Sequence, residues 1–125
     1  MEQENWKDKI IVIAEDEKIN FLFLQAVFKK TGATIFWARN GEEVIRICDK
    51  EKNIDIILMD IKMPGIDGYE ATRIIKDKYP GITVIIQTAY NLSEDRDKAY
   101  EAGCDSFLAK PIKPKNLMAT VKKYI

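Results

Sequence analysis

The 125-residue chain contains no histidine. That absence excludes a Ser-His-Asp triad, a Cys-His dyad and a histidine zinc site, and leaves no imidazole here to carry a phosphoryl group. Any chemistry must rest on carboxylates, lysine, threonine and metal. Cysteine is almost as scarce: Cys48 and Cys104 stand far apart with no C-x-x-C spacing, and read as small buried hydrophobes rather than a disulfide or metal pair. Long apolar runs are also missing, and Ile56-Ile57-Leu58-Met59 has the length of a strand, not of a membrane span. The opening residues, Met1 to Trp6, lack the basic-then-apolar order of a secretory signal. A cytoplasmic setting without membrane contact is therefore expected. Neither charge is in excess, with 20 Lys and Arg against 20 Asp and Glu, so no global field draws the chain to nucleic acid.

What is present is an alternation of two patterns. Short β-branched runs at residues 9–14, 33–38, 54–59, 82–87 and 105–109 predict strands, and the stretches between them carry helical period. Helices are expected over 17–30, stopped by Thr31-Gly32, and from Asn40-Gly41 to 51. A third follows the turn-rich Met63-Pro64-Gly65-Ile66-Asp67-Gly68 and runs to 78. The fourth covers 93–102 with Ser93 as N-cap, and the fifth starts near 113 with Pro114 in its first turn. One domain accounts for the length. Five strands and five helices in alternation define an α/β class, a doubly wound parallel sheet covered on both faces. In the first helix, Ile19, Phe23, Ala26 and Val27 share a face and are expected to dock on the sheet, leaving Phe21 and Phe28 outside the stripe. Phe28 also has a place open to it against the last helix, near Leu117 or Val121.

Ligands of an open parallel sheet bind outside the carboxyl ends of its strands. The first strand ends in Glu15-Asp16, the third in Asp60, the fourth in Thr88 and the fifth in Lys110-Pro111. Singly, each has an ordinary use as turn acid, helix-start threonine or surface lysine. Jointly they describe one site. Three carboxylates at one rim repel one another unless a hard cation lies among them, and Mg²⁺ prefers one or two carboxylates with carbonyl, water and phosphate oxygens. Lys110 can pair with Asp60 or a phosphate oxygen, and the Thr88 hydroxyl can hydrogen-bond another.

The segments IIVIAEDE, ILMDIKMPGIDGYEATR, IIQTAY and AGCDSFLAKPI resemble, over essentially residues 8–125, the receiver domain of response regulators and hybrid sensor kinases. The resemblance implies a flavodoxin-like strand order 2-1-3-4-5, with residues 1–8 a leader or linker and 9–125 the domain. It implies that Asp60 accepts a phosphoryl group from the phosphohistidine of a histidine kinase or histidine phosphotransfer protein, without the domain being an enzyme by itself. Glu15, Asp16, Asp60 and the backbone carbonyl of Lys62 would hold Mg²⁺. Thr88 would grip the phosphoryl group after transfer, Lys110 would neutralise it, and the Lys110-Pro111 bond would be cis.

Two departures from the family pattern matter. Glu15 stands where many members have Asp, and its extra length is expected to let it reach the metal through water, leaving Asp16 the direct ligand. Phe107 occupies the aromatic switch position without a hydroxyl, so it would report phosphorylation through packing alone or else stay a buried strand residue. Lys62 and Tyr90, each two residues beyond a site residue, are expected to shield the phosphoryl group from water. Because the family docks its first helix against a partner's helical pair, Phe21 is expected to be a partner contact. The segment Asn5-Trp6-Lys7-Asp8-Lys9 resembles the junction after a kinase core, which favours the C-terminal receiver of a hybrid kinase.

Three rival readings are weaker. A haloacid-dehalogenase-type phosphatase needs an aspartate two residues past its nucleophile, and Lys62 stands there. A flavodoxin-like electron carrier would present its flavin phosphate to Glu15-Asp16-Glu17, which repels it. A module acting only by interaction would have no use for the intact acid pair, Asp60, Thr88 and Lys110.

Overall fold

The computed structural model describes residues 4–89 and 93–125. Strands β1 (Ile10–Ala14), β2 (Thr34–Ala38), β3 (Ile56–Asp60), β4 (Thr83–Thr88) and β5 (Ser106–Ala109) alternate with helices α1 (Lys18–Phe28), α2 (Gly41–Lys50), α3 (Gly68–Lys78), α4 (Ser93–Glu101) and α5 (Pro114–Lys122). Every pairing is parallel, in the order β2-β1-β3-β4-β5. The winding direction reverses between β1 and β3, which opens a crevice beyond their carboxyl ends.

Alternation along the central strands sends successive side chains to opposite faces. Val12, Ala14, Ile57, Met59, Val84 and Ile86 share one core with Val44, Cys48, Ala71, Ile75 and Ala99 from α2, α3 and α4. Ile11, Ile13, Ile56, Leu58 and Ile85 share the other with Phe21, Leu24, Phe28, Leu117 and Val121 from α1 and α5. Two covered faces explain why β1, β3 and β4 read as unbroken apolar runs. Cys48 and Cys104 are free and buried, and desolvation pushes both thiols up to about 11.

Helix starts follow local chemistry. The Asn40 side chain accepts from the Glu43 amide at 2.8 Å while the Glu43 carboxylate reaches back to the Arg39 amide at 3.1 Å, a reciprocal cap for α2. Asp67 caps α3 through the Glu70 amide at 2.9 Å. Helix α1 tightens into a 3-10 turn at Lys29–Thr31 and stops at Gly32, whose φ of +82° suits glycine. Ser93, expected as the N-cap of α4, is its first helical residue, and the position before it lies outside the described residues.

The structure corrects the expected docking face of α1. Ile19 is 81% exposed and Phe23 44%, whereas Phe21, Leu24 and Phe28 are buried, so α1 docks through the face set aside as its outer one. Both sets have helical spacing, and the aromatic partners decide. Phe21 stacks on Trp37 of β2 at a centroid distance of 4.4 Å and 7° between planes, and Phe28 joins Leu117 and Val121. Phe21, expected as a partner contact, is thereby buried within the fold. Ahead of β1, Trp6 is buried, lies 6.3 Å from Phe28, and donates its amide to the Thr31 carbonyl at 2.7 Å.

Candidate functional site

Two strand ends deliver the acids. The last residue of β3 is Asp60, buried, with Oδ1 accepting from the Ile61 amide at 2.9 Å. Glu15 and Asp16 follow β1 directly, the first buried and the second exposed. One carboxylate oxygen from each of the three lies within 4.8 Å of the others. Lys110, immediately past β5, brings Nζ to 3.2 Å from Asp60 Oδ1 and 3.7 Å from Glu15 Oε1. Thr88 closes β4 beside them and is buried. The Lys110-Pro111 peptide is cis.

Glu15 carries the electrostatic signature of the site. Burial, then the charge of Asp60, raise its carboxyl from 4.5 to about 7, against the lowering effects of the Glu17 amide and Lys110. Its Oε2 accepts from the Glu17 amide at 3.2 Å, while the buried Oε1 has no hydrogen-bond partner. An oxygen so placed, among three acids that one lysine does not balance, fits a hard divalent cation.

Lys62 is exposed and lines a cleft with Asp16, Met63, Pro64 and Asp67, which sets its backbone near the acid cluster. Phe107 is half-buried, packed against the core under α4, with the Arg96 guanidinium 5.9 Å from its ring. It is neither a sealed core residue nor a free one. Tyr90 lies outside the described residues.

Three contributors escaped the sequence reading. Gly68 starts α3 so close beneath Asp60 that a Cβ would collide with the Asp60 carbonyl oxygen, and its amide donates to the Ile61 carbonyl at 2.9 Å. The turn-rich segment marked the place but not the reason. Gln87, next to Asp60 in the sheet, buries its amide nitrogen without a partner in a groove of roughly 230 Å³ shared with Glu15, Phe23 and Lys110. A glutamine within the apolar run Val84-Ile85-Ile86 was the visible signal. Trp37 donates from Nε1 to the Glu15 carbonyl at 2.7 Å, and nothing in sequence spacing announces that contact.

A doubly wound sheet with acids, threonine and lysine gathered at its carboxyl rim defines a phosphate-handling α/β domain. The chain belongs to the response regulator receiver domain family, whose model matches residues 11–122. It is 31% identical over 119 residues to the polar-differentiation response regulator DivK of Brucella anthropi, covering 94% of this chain and 96% of that protein. The receiver domain of a Pseudomonas aeruginosa sensor histidine kinase, solved with magnesium coordinated in its active-site cleft, superposes with a TM-score of 0.84 at 30% identity, covering 93% of this chain and 96% of that one. The receiver domain of a Saccharomyces cerevisiae response regulator, co-crystallised with a histidine phosphotransfer protein, gives 0.88 at 26% identity, covering 99% and 91%. The chain is thus a receiver domain of two-component signalling, a phosphoacceptor switch rather than an enzyme of turnover. Among the described residues, no helix is long and apolar enough to cross a membrane.

Proposed function

We propose that Asp60 is the phosphoacceptor, that Glu15, Asp16, Asp60 and the Lys62 carbonyl hold Mg²⁺, and that the donor is the phosphohistidine of a histidine kinase or phosphotransfer protein. The observation that carries this reading is the meeting of three carboxylate oxygens within 4.8 Å beside a lysine 3.2 Å from Asp60. In the transfer, an Asp60 carboxylate oxygen attacks phosphorus in line, the P–N bond to the donor imidazole breaks, and the electron pair leaves on that nitrogen. Bound Mg²⁺ would neutralise the charge that builds on the phosphoryl oxygens. Lys110 would supply a second positive charge from the side of β5, and the Thr88 hydroxyl would donate to a phosphoryl oxygen. Phe107 then responds to the movement of Thr88 through packing, since it has no hydroxyl to carry a hydrogen bond. The two free buried thiols accord with a reducing, cytoplasmic setting.

The partner surface of this proposal replaces Phe21 with Ile19, Leu22 and Phe23. These are exposed apolar residues on α1, and Phe23 borders the groove that leads to Lys110, Pro111 and Ile112. An apolar patch beside the reactive rim suits a helical partner that must bring its imidazole to Asp60. Incubation with acetyl phosphate and Mg²⁺ is expected to add one phosphoryl mass to the wild type and none to Asp60→Asn. Labelling of Asp60→Asn would sink the assignment.

A further inference from the structure

The acid pair is held by more than its strand. Glu15 follows β1, and its amide donates to the Ala38 carbonyl at 2.9 Å, which continues the pairing with β2 by one residue. Its carbonyl accepts from Trp37 Nε1 at 2.7 Å, and its Oε2 accepts from the Glu17 amide. Amide, carbonyl and one carboxylate oxygen are thus committed, and only Oε1 is left to face Asp60 and Lys110.

The carbonyl contact has the greatest leverage. It belongs to the peptide that joins Glu15 to Asp16, so its direction sets the plane from which the Asp16 side chain leaves. Asp16 is exposed and follows the strand, and its side chain meets that of Glu15, so both depend on how the peptide between them is turned. The donor is itself fixed. The Trp37 ring stacks on Phe21 on one side, at 4.4 Å and 7°, and the Arg39 guanidinium lies 4.5 Å from its centroid. A rigid two-ring stack on the edge strand β2 therefore holds an indole N–H against the acid-pair peptide.

We propose that Trp37 is a positioning residue for the metal site: through its Nε1–H bond to the Glu15 carbonyl it orients the Glu15-Asp16 peptide so that Asp16 meets Glu15 and Asp60 around the cation. This rests on the Mg²⁺ reading given above. Trp37 touches neither metal nor phosphoryl group, so it acts on metal affinity and not on the transfer step. A ligand set oriented in advance binds a weakly held ion better than one ordered by the ion itself.

Trp37→Phe keeps an aromatic ring against Phe21 and removes the N–H. The stabilisation that Mg²⁺ gives in thermal unfolding, titrated without any phosphodonor, reports metal affinity directly. The half-saturating Mg²⁺ concentration is expected to rise three- to tenfold in Trp37→Phe, while the acetyl phosphate labelling rate at saturating Mg²⁺ stays within twofold of wild type. Phe21→Leu loosens the stack but keeps the N–H donor. It is expected to lower the melting temperature with less than a twofold change in the Mg²⁺ midpoint. A Trp37→Phe midpoint within twofold of wild type, or equal midpoint shifts in the two variants, would overturn the positioning role. A wild-type protein whose melting temperature ignores Mg²⁺ would instead remove the metal reading beneath it.

Discussion

The two rims of the sheet are built from similar residue types to opposite ends. At the amino rim, Lys76 Nζ donates to the Pro80 carbonyl at 3.2 Å, the Ile82 carbonyl at 2.9 Å and Asp105 Oδ2 at 2.9 Å, and Asp105 also accepts from the Val84 amide at 2.8 Å. One lysine and one aspartate there join the end of α3 to the starts of β4 and β5. At the carboxyl rim three carboxylates face one lysine, a buried Glu15 oxygen has no hydrogen-bond partner, and the Glu15 carboxyl is raised to about 7. A satisfied ion pair ties elements together, whereas an unbalanced cluster stores repulsion that a divalent cation would relieve. The amino rim is architecture and the carboxyl rim is chemistry.

Breaking the amino rim is expected to give the largest effect on stability. Asp105→Ala removes a partner of Lys76 and leaves the Val84 amide without its acceptor, a loss of about 2–4 kcal/mol. Urea unfolding measures it, and the extent of acetyl phosphate labelling of the folded protein is expected to be unchanged. A loss of labelling in folded Asp105→Ala would show that the rims are not separable.

The carboxyl rim is expected to answer in the opposite direction. Glu15 has a raised carboxyl in the folded protein and an ordinary one when unfolded, so the folded state binds more protons between about pH 4.5 and 7. Stability of the metal-free protein therefore falls as pH rises through that window, and the penalty is complete above it. Glu15→Gln removes the penalty. At pH 8 without metal it is expected to stabilise the protein by on the order of 2 kcal/mol, and at pH 4 by almost nothing. Destabilisation at pH 8 would mean that the cluster is held together as tightly as the amino rim.

Much of this contrast was legible in residue order. The alternation of β-branched runs and helical stretches gave the α/β class, and the polar residues after each run gave the acids, Thr88 and Lys110, because strand ends are where such a sheet exposes chemistry. The faces of α1 were not legible. Eleven residues with seven large apolar side chains satisfy helical period on either face, and only the aromatic surfaces of Trp37 and Trp6, distant in sequence, select Phe21 and Phe28 for burial. The same distance hid the indole contact to Glu15. Trp6 read as part of a leader because its partners, Phe28 and Thr31, lie beyond the first strand.

The face of α1 left outside allows the acidic rim to be tested through its access. Phe23→Ala with Ile19→Ala removes two exposed apolar side chains without touching the acids, so acetyl phosphate labelling is expected to be unaffected. Transfer from a phosphohistidine donor is expected to slow about tenfold, equivalent to about 1.4 kcal/mol. Equal slowing with both donors would place these side chains in the chemistry and not in docking.

The smallest expected effect lies at the mouth of the carboxyl rim. Lys62 stands two residues past Asp60 and lines the cleft that holds Asp16, and on the proposed reading its chain would cross one route by which water reaches a phosphoryl group on Asp60. Its charge would also attract the phosphoryl oxygens, so loss of the side chain opens the route and removes a neutralising charge together. The two consequences oppose one another. Easier approach of water speeds hydrolysis, while a less neutralised transition state slows it, and at an exposed position screening weakens the second. Access is therefore expected to win, and Lys62→Ala with Tyr90→Ala is expected to shorten the lifetime of the phosphorylated protein by about two- to fivefold, less than 1 kcal/mol of barrier. Loss of phosphoryl mass over time, after removal of acetyl phosphate at constant Mg²⁺, measures it. A longer lifetime in the double variant would mean that charge rather than access governs hydrolysis at this rim, and an unchanged one would remove both residues from its control.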